Sequence, residues 1–158
     1  VLLRLGRHEM AFIQWDESLS VGVPVIDGEH KSLIDSVNKL HEATESLKPQ
    51  RTVSTILDSF VDLVSYHFRR EERVMRATGY PDSEDHMAKH REFETYLLAN
   101  RHPSKEKARP PSDRDAVNHI KQWLVDHIRN DDRLYAPYTG DNPAVVTAFY
   151  ETAVYEDV

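Results

Sequence analysis

Five histidines and two carboxylates recur along this chain at separations that a helix turns into shared faces. They are His30, then His67 with Glu71, His86 with His90, and His127 with Asp132. Residues four apart lie about one turn apart on one helix face, so the HxxxE and HxxxH pairs can each reach a common point. Helices that each send one or two such side chains inward are how a bundle builds a two-metal site in its core. The set is rich in imidazole and offers no thiolate, because the chain contains no Cys. Such ligands suit iron, copper or zinc better than magnesium or calcium. These donors also exceed the four that a tetrahedral ion accepts, and they match two bridged ions. The pattern predicts a dinuclear metal site.

Taken singly, HxxxE or HxxxH on a helix is usually only an exposed pair or a helix-stabilising contact. The register with the apolar stripes points elsewhere. His67 follows Phe60 by seven and Val64 by three, and His127 stands in the same relation to Ile120 and Leu124. His90 precedes Phe93 by three and Leu97 by seven, and His30 precedes Leu33 and Ile34. An imidazole on a buried stripe is costly unless hydrogen-bonded or coordinated. One satisfied core histidine is ordinary, but one on every stripe is not. Asp132 fits least well. Five residues after His127, an ideal helix rotates it by about 140° away, so it reaches the site only if the helix is locally widened there. Asp131 is the nearer neighbour, and spacing alone leaves the choice between the two open. His8, His41, His102 and His119 read as solvated, Trp15, Tyr66, Tyr80 and Tyr135 as core or capping aromatics, and Met75 and Met87 as gap-fillers.

The elements that must position these residues are four amphipathic helices. Residues 15–27 carry Ser, Gly and Pro24 among scattered apolar residues and read as an irregular arm. The first helix is expected from about Asp27 or Gly28 to before Pro49, with Leu33, Ile34, Val37 and Leu40 on its apolar face. The second runs from about Thr52 through Val53, Ile56, Leu57, Phe60, Val61, Val64 and Phe68, and closes before Gly79-Tyr80-Pro81. The third starts near Ser83, with Asp82 or Ser83 as N-cap, and ends near Asn100. A polar, proline-containing surface loop from Arg101 to Pro111 follows. The fourth runs from about Ser112 through Val117, Ile120, Trp123, Leu124 and Ile128 until Pro137 ends it. Pro143 to Val154 can form one more short helix. No segment has the period-2 pattern of a strand. The expected fold is all-α, an up-down-up-down four-helix bundle with an irregular N-terminal arm and a short C-terminal helix.

Bulk properties set limits. The chain has 158 residues, one domain's worth, and carries 20 basic against 27 acidic residues for a net charge of −7. That balance argues against nucleic acid or anionic membrane as a partner. No apolar run approaches the roughly 20 residues of a membrane span. The opening Val1-Leu2-Leu3-Arg4-Leu5 is too short for a signal-peptide core, so a cytoplasmic protein is expected. Met10 is followed at once by Ala-Phe-Ile-Gln-Trp, so residues 1–9 read as a tag or upstream extension. The bundle is then assigned to 10–138 and a C-terminal tail to 139–158.

At this point the chain resembles a known family. The strings Ser20-Val-Gly-Val, Ile26-Asp27-x-x-His30-Lys31-x-Leu33-Ile34, His67-Phe-x-x-Glu71-Glu72-x-x-Met75-x-x-x-Gly79-Tyr80-Pro81, His86-x-x-x-His90 and Trp123-Leu124-x-x-His127-Ile128-x-x-x-Asp132 look like the bacterial hemerythrins. The resemblance covers about Phe12 to Tyr138 and implies a non-haem di-iron centre. It implies that His86, His90 and His127 hold one iron. His30 and His67 would hold the other, which keeps an open position. Glu71 and Asp132 would bridge both together with an oxo or hydroxo group, and this selects Asp132 over Asp131. The resemblance also places Trp123, Leu124 and Ile128 around the open iron as an apolar oxygen pocket. Two features depart from the family pattern. Glu29 precedes His30 where the family often has Gln, a change able to tune ligand basicity, and the tail after Tyr138 exceeds the minimal domain.

The ligand balance suggests what such a site does. Di-iron oxidases use mostly carboxylates, whose hard anionic character favours the high oxidation states needed to cleave O–O. Here the neutral imidazoles outnumber the two carboxylates, so bound O2 is expected to leave again unchanged. The resulting expectation is reversible O2 binding for carriage, storage or delivery, with O2 as ligand, no enzymatic activity and no specified protein partner. The alternatives are an O2, nitric-oxide or iron sensor with the tail as effector, a di-iron oxidase or nitric-oxide scavenger, and a structural zinc bundle. The last is disfavoured because a closed zinc site wants only four ligands.

Overall fold

The computed structural model describes residues 10–101 and 113–151, and every regular element among them is helical. The proposed extension 1–9, His8, His102, the loop after Arg101, Ser112 and the end of the tail lie outside the described residues.

A single 3₁₀ turn at Glu17–Leu19, whose N-cap Asp16 accepts from the Ser18 amide, leads into helix α1 at Pro24–Glu45. This start is earlier than the sequence suggests. Pro24 occupies the first turn, where its missing N–H is no loss and its fixed φ is already helical. Asp27 then reaches back to accept from the Val21 amide at 2.8 Å and the Ser20 hydroxyl at 2.6 Å, fixing the angle at which the arm enters. Helix α2 spans Gln50–Thr78 and ends on Gly79, whose left-handed φ of 69° lets the Tyr80 amide bond back to the Met75 carbonyl at 3.1 Å. Helix α3 covers Ser83–Arg101. Helix α4, Asp113–Asp126, continues through a π turn at His127–Asp132 into helix α5, Arg133–Thr139. Pro137 lies inside α5 rather than at its end. It forfeits only the bond to one carbonyl a turn back, and the helix ends two residues later at Thr139, before Gly140. Helix α6 is Pro143–Tyr150, with Asn142 as N-cap accepting from the Ala144 amide.

The helices alternate in direction. His30 lies in the first part of α1, His67 in the second half of α2, His86 and His90 at the start of α3, and His127 just after α4, yet all meet at one end. Leu40, Val53, Leu97 and Val117, from the opposite parts of the same helices, fall in the apolar core at the other end. This is the up-down-up-down bundle. Its main core joins Leu33, Val37, Phe60, Val64, Phe93, Ile120 and Leu124, all nearly inaccessible. Each such side chain stabilises by roughly 1.5–3 kcal/mol relative to an exposed one. A second apolar cluster, beyond the histidines, packs Val145, Ala148 and Phe149 of α6 against Val74, Met75, Ile26 and Tyr135. The histidines therefore lie between two dry layers. Among the described residues no helix is long and apolar enough to cross a membrane.

Candidate metal centre

All seven candidate ligands, Asp132 among them, are drawn to one buried locus. His30, Glu71, His90 and Asp132 are fully inaccessible, and His67, His86 and His127 are 4% exposed or less. Their donor atoms form two groups within 4.8 Å: Glu71, His86, His90, His127 and Asp132 in one, His30, His67 and Glu71 in the other. The Nε2 atoms of His86 and His90 approach to 3.1 Å and those of His90 and His127 to 3.0 Å. Asp132 straddles the groups, with Oδ1 3.3 Å from His86 Nε2 and 3.1 Å from His127 Nε2, and Oδ2 3.2 Å from His30 Nε2. Glu71 straddles them as well. Its Oε2 is 3.2 Å from His90 Nε2 and 3.6 Å from His67 Nε2, while Oε1 faces His30 Nε2 at 4.0 Å.

The i to i+5 spacing of His127 and Asp132 is reconciled by the π turn, which widens the helix over those residues. The consequence is a division of labour between adjacent aspartates. Asp131 accepts from His127 Nδ1 at 3.1 Å on the outside, and Asp132 meets Nε2 of the same ring on the inside.

Outer carboxylates orient two further rings. His67 Nδ1 donates to Glu29 Oε2 at 2.9 Å and His90 Nδ1 to Glu72 Oε1 at 3.0 Å. With a proton held on each Nδ1, the Nε2 lone pair points inward, which is how protein-bound metals orient imidazole. Glu29, one residue before His30, thus serves His67 and not its neighbour. Burial works against charge on Glu29, but His67 and Arg70 hold its carboxyl below the usual range. Burial likewise opposes a charge on His127, yet Asp132 and Asp131 raise it to about 10. His30 and His90 are also raised, the carboxylates outweighing their burial. Glu71 and Asp132, for which burial is unfavourable, are held below the carboxylate range by the imidazoles around them.

Spacing had given Tyr135 only a core role. It is fully buried, as expected, but its hydroxyl also donates to Glu71 Oε1. Burial and the two carboxylates push that hydroxyl's pKa well above 10, so it remains a donor. The signal was present in its position, three residues after Asp132 on one helix face. Phe68 is a core residue of the α2 stripe and also stacks on His90 at 3.7 Å, a contact that periodicity does not reveal. Of the apolar trio, Leu124 and Ile128 are buried in the main core, and Trp123 is half-buried with its ring stacked on His127 at 4.3 Å. A surface pocket of about 260 Å³ opens beside it, lined by His119, Trp123, His127 and Asp131 among others. His41 and His119 stay outside the locus. His41 stacks on Phe12 at 3.8 Å, and exposed His119 lies over Tyr96.

Both ring nitrogens of His30, Oε2 of Glu71 and both oxygens of Asp132 are buried without a hydrogen-bond partner. His30 Nε2 and Asp132 Oδ2 are close enough for an ion pair but not aligned for a hydrogen bond. Orphaned acceptors in a dry core cost on the order of 1–3 kcal/mol each. Imidazole nitrogens and carboxylate oxygens that converge in a buried core form a donor set fit for cations, and their chemistry fits iron.

Comparison with known proteins agrees. Residues 21–139 match the hemerythrin HHE cation-binding domain. The chain is 32% identical over 127 residues to a bacteriohemerythrin of Stenotrophomonas maltophilia, covering 80% of this chain and 81% of that protein. It is 31% identical to one from Methylococcus capsulatus, covering 81% and 97%. A wild-type hemerythrin crystal structure superposes with a TM-score of 0.71 at 29% identity, covering 82% of this chain and 98% of that one. A helical bundle with an imidazole-rich, carboxylate-straddled core defines the class. The chain belongs to the hemerythrin family.

Proposed function

We propose that this protein binds O2 reversibly at a pair of iron ions held by His30, His67, Glu71, His86, His90, His127 and Asp132. The observation that carries this reading is the convergence of inward Nε2 atoms on two carboxylates that each face both groups. His86, His90 and His127 would hold one ion and His30 and His67 the other, with Glu71 and Asp132 shared. When bound, the irons would be the atoms that O2 ligates, supplying electrons to it on binding and regaining them on release. The half with fewer imidazoles would leave a position for that ligand.

The chain's own residues do the rest. Glu29, Glu72 and Asp131 hold Nδ1 protons and so aim three rings. Tyr135 fixes one oxygen of Glu71 by donating to it. Leu124 and Ile128 would form an apolar wall that keeps water from the open half, opposing irreversible oxidation, with the Trp123 ring flanking it from its place on His127. Family membership supports iron and O2, and five imidazoles against two carboxylates support release over cleavage.

Elemental analysis of protein from iron-supplied cells should give about two irons per chain, and its visible spectrum should change reversibly between air and deoxygenated buffer. About one metal per chain, or a spectrum indifferent to O2, would sink the proposal.

A further inference from the structure

The family match ends at residue 139, but the ordered chain does not. Helix α6 lies against α2 and buries Val145, Ala148 and Phe149 in the apolar cluster beyond the histidines. The last carbonyls of any helix lack intrahelical partners. Here two arginines of α2 supply them. Arg73 Nε donates to the Ala148 carbonyl at 3.0 Å and Arg70 Nε to the Phe149 carbonyl at 3.0 Å. Cations at a helix C-terminus also meet the favourable end of its dipole. The Arg70 guanidinium further lies over the Phe149 ring, 4.1 Å from its centroid.

Arg70 faces two ways. Its Nη1 donates to Glu29 Oε1, and the other oxygen of that carboxylate, Oε2, accepts from His67 Nδ1 at 2.9 Å. Both Arg70 and Glu29 side chains are only 14% exposed, so solvent competes weakly for this path. One unbroken set of contacts runs from the Phe149 carbonyl through Arg70 and Glu29 to an inward-facing imidazole. The rings of the other half are anchored separately, His90 by Glu72 and His127 by Asp131.

We infer that Arg70 is a positioning residue that ties α6 to His67 through Glu29, so that docking of α6 sets how firmly the His30–His67 half of the centre holds its ion. The inference rests on the metal-binding reading above and adds to it a control by a segment outside the matched domain. Outer-shell partners of ligating histidines typically change metal affinity by 10–100-fold when lost.

The test is a Co²⁺ titration of the metal-free full chain, followed by visible absorption. The parent should take up two ions in resolvable steps, and His30→Ala identifies the step that belongs to the His30–His67 half. Arg70→Lys keeps the charge but cannot span the Phe149 carbonyl and Glu29 together, because an ammonium is a point donor rather than a fork. It should weaken that step by about tenfold or more and leave the other step within about twofold. Phe149→Ala loosens α6 without touching Glu29 and should weaken the same step. A parent that does not take two ions would refute the metal-binding reading itself. With a two-ion parent, unchanged steps in both variants, or equal weakening of both steps, would overturn the role of Arg70. A shift in Arg70→Lys without one in Phe149→Ala would overturn the part played by α6. Should Arg70→Lys not fold, Phe149→Ala decides alone.

Discussion

Glu71 carries more than any other side chain here, because its two oxygens face both groups of imidazoles while Tyr135 fixes one of them. Glu71→Ala should therefore lose more iron than His30→Ala and melt lower, since binding energy at a folded site is partly folding energy. Equal iron content and equal midpoints in the two variants would argue against a shared carboxylate. Protons compete for the same atoms. With its carboxylate neighbours, His127 keeps a proton in the metal-free protein until about pH 10, and His30 and His90 are raised as well. An ion must displace those protons, so metal uptake should release them and tighten as pH rises through neutrality. Calorimetry in buffers of different ionisation enthalpy reads the proton count directly, and a count of zero would contradict it. Leu124→Asn places a polar group in the apolar core, where Leu124 is 2% exposed. We expect it to retain two irons but to oxidise irreversibly faster, at a stability cost of about 1–3 kcal/mol. Absorbance after mixing the reduced protein with O2 measures that rate, and a rate no faster than the parent's would remove Leu124 from the pocket.

The element that decides the geometry is the π turn. In a regular helix only one of Asp131 and Asp132 could lie over His127, and spacing alone left the choice between them open. Widening over His127–Asp132 presents both, on opposite nitrogens of one ring. Deleting exposed Asn130 restores a four-residue spacing, so one carboxylate must be lost from the ring. The variant should stay helical by circular dichroism yet hold about one iron or fewer. Full iron content would show the widened turn to be dispensable.

For the whole molecule, the centre is sandwiched between two apolar clusters and joins all the long helices at one end. Buried nitrogens and oxygens lie unpartnered there, so an ion that they hold should add to the stability of the fold. A ligand at a hundred times its Kd stabilises by about 2.7 kcal/mol, which for a chain of this size is on the order of 5–10 °C. Chelation of the reduced protein should lower the thermal midpoint by at least that much, reversibly on restoring Fe²⁺. An unchanged midpoint would separate the site from the fold's stability.

Much of this was legible in the chain. The 3.6-residue stripes define α1 to α4, because burying one face needs apolar residues at that period. His30, His67, His90 and His127 stood out because each continues a stripe where an unpaired imidazole would be costly, and His86 because it lies four residues before His90. Gly79 announced the end of α2, because only a left-handed residue closes a helix that way. The start of α1 and the widened turn at His127–Asp132 had weaker local signals, a proline suited to a first turn and a five-residue spacing that a regular helix cannot close. The helix continuing through Pro137 had none. The pairing of Glu29 with His67, the Tyr135 hydroxyl on Glu71 and the grip of Arg70 on α6 join residues 38, 64 and 79 positions apart. Periodicity tells which face a residue occupies, but not which residue of another helix it meets. That is set by helix packing and register, and only the tertiary structure holds it.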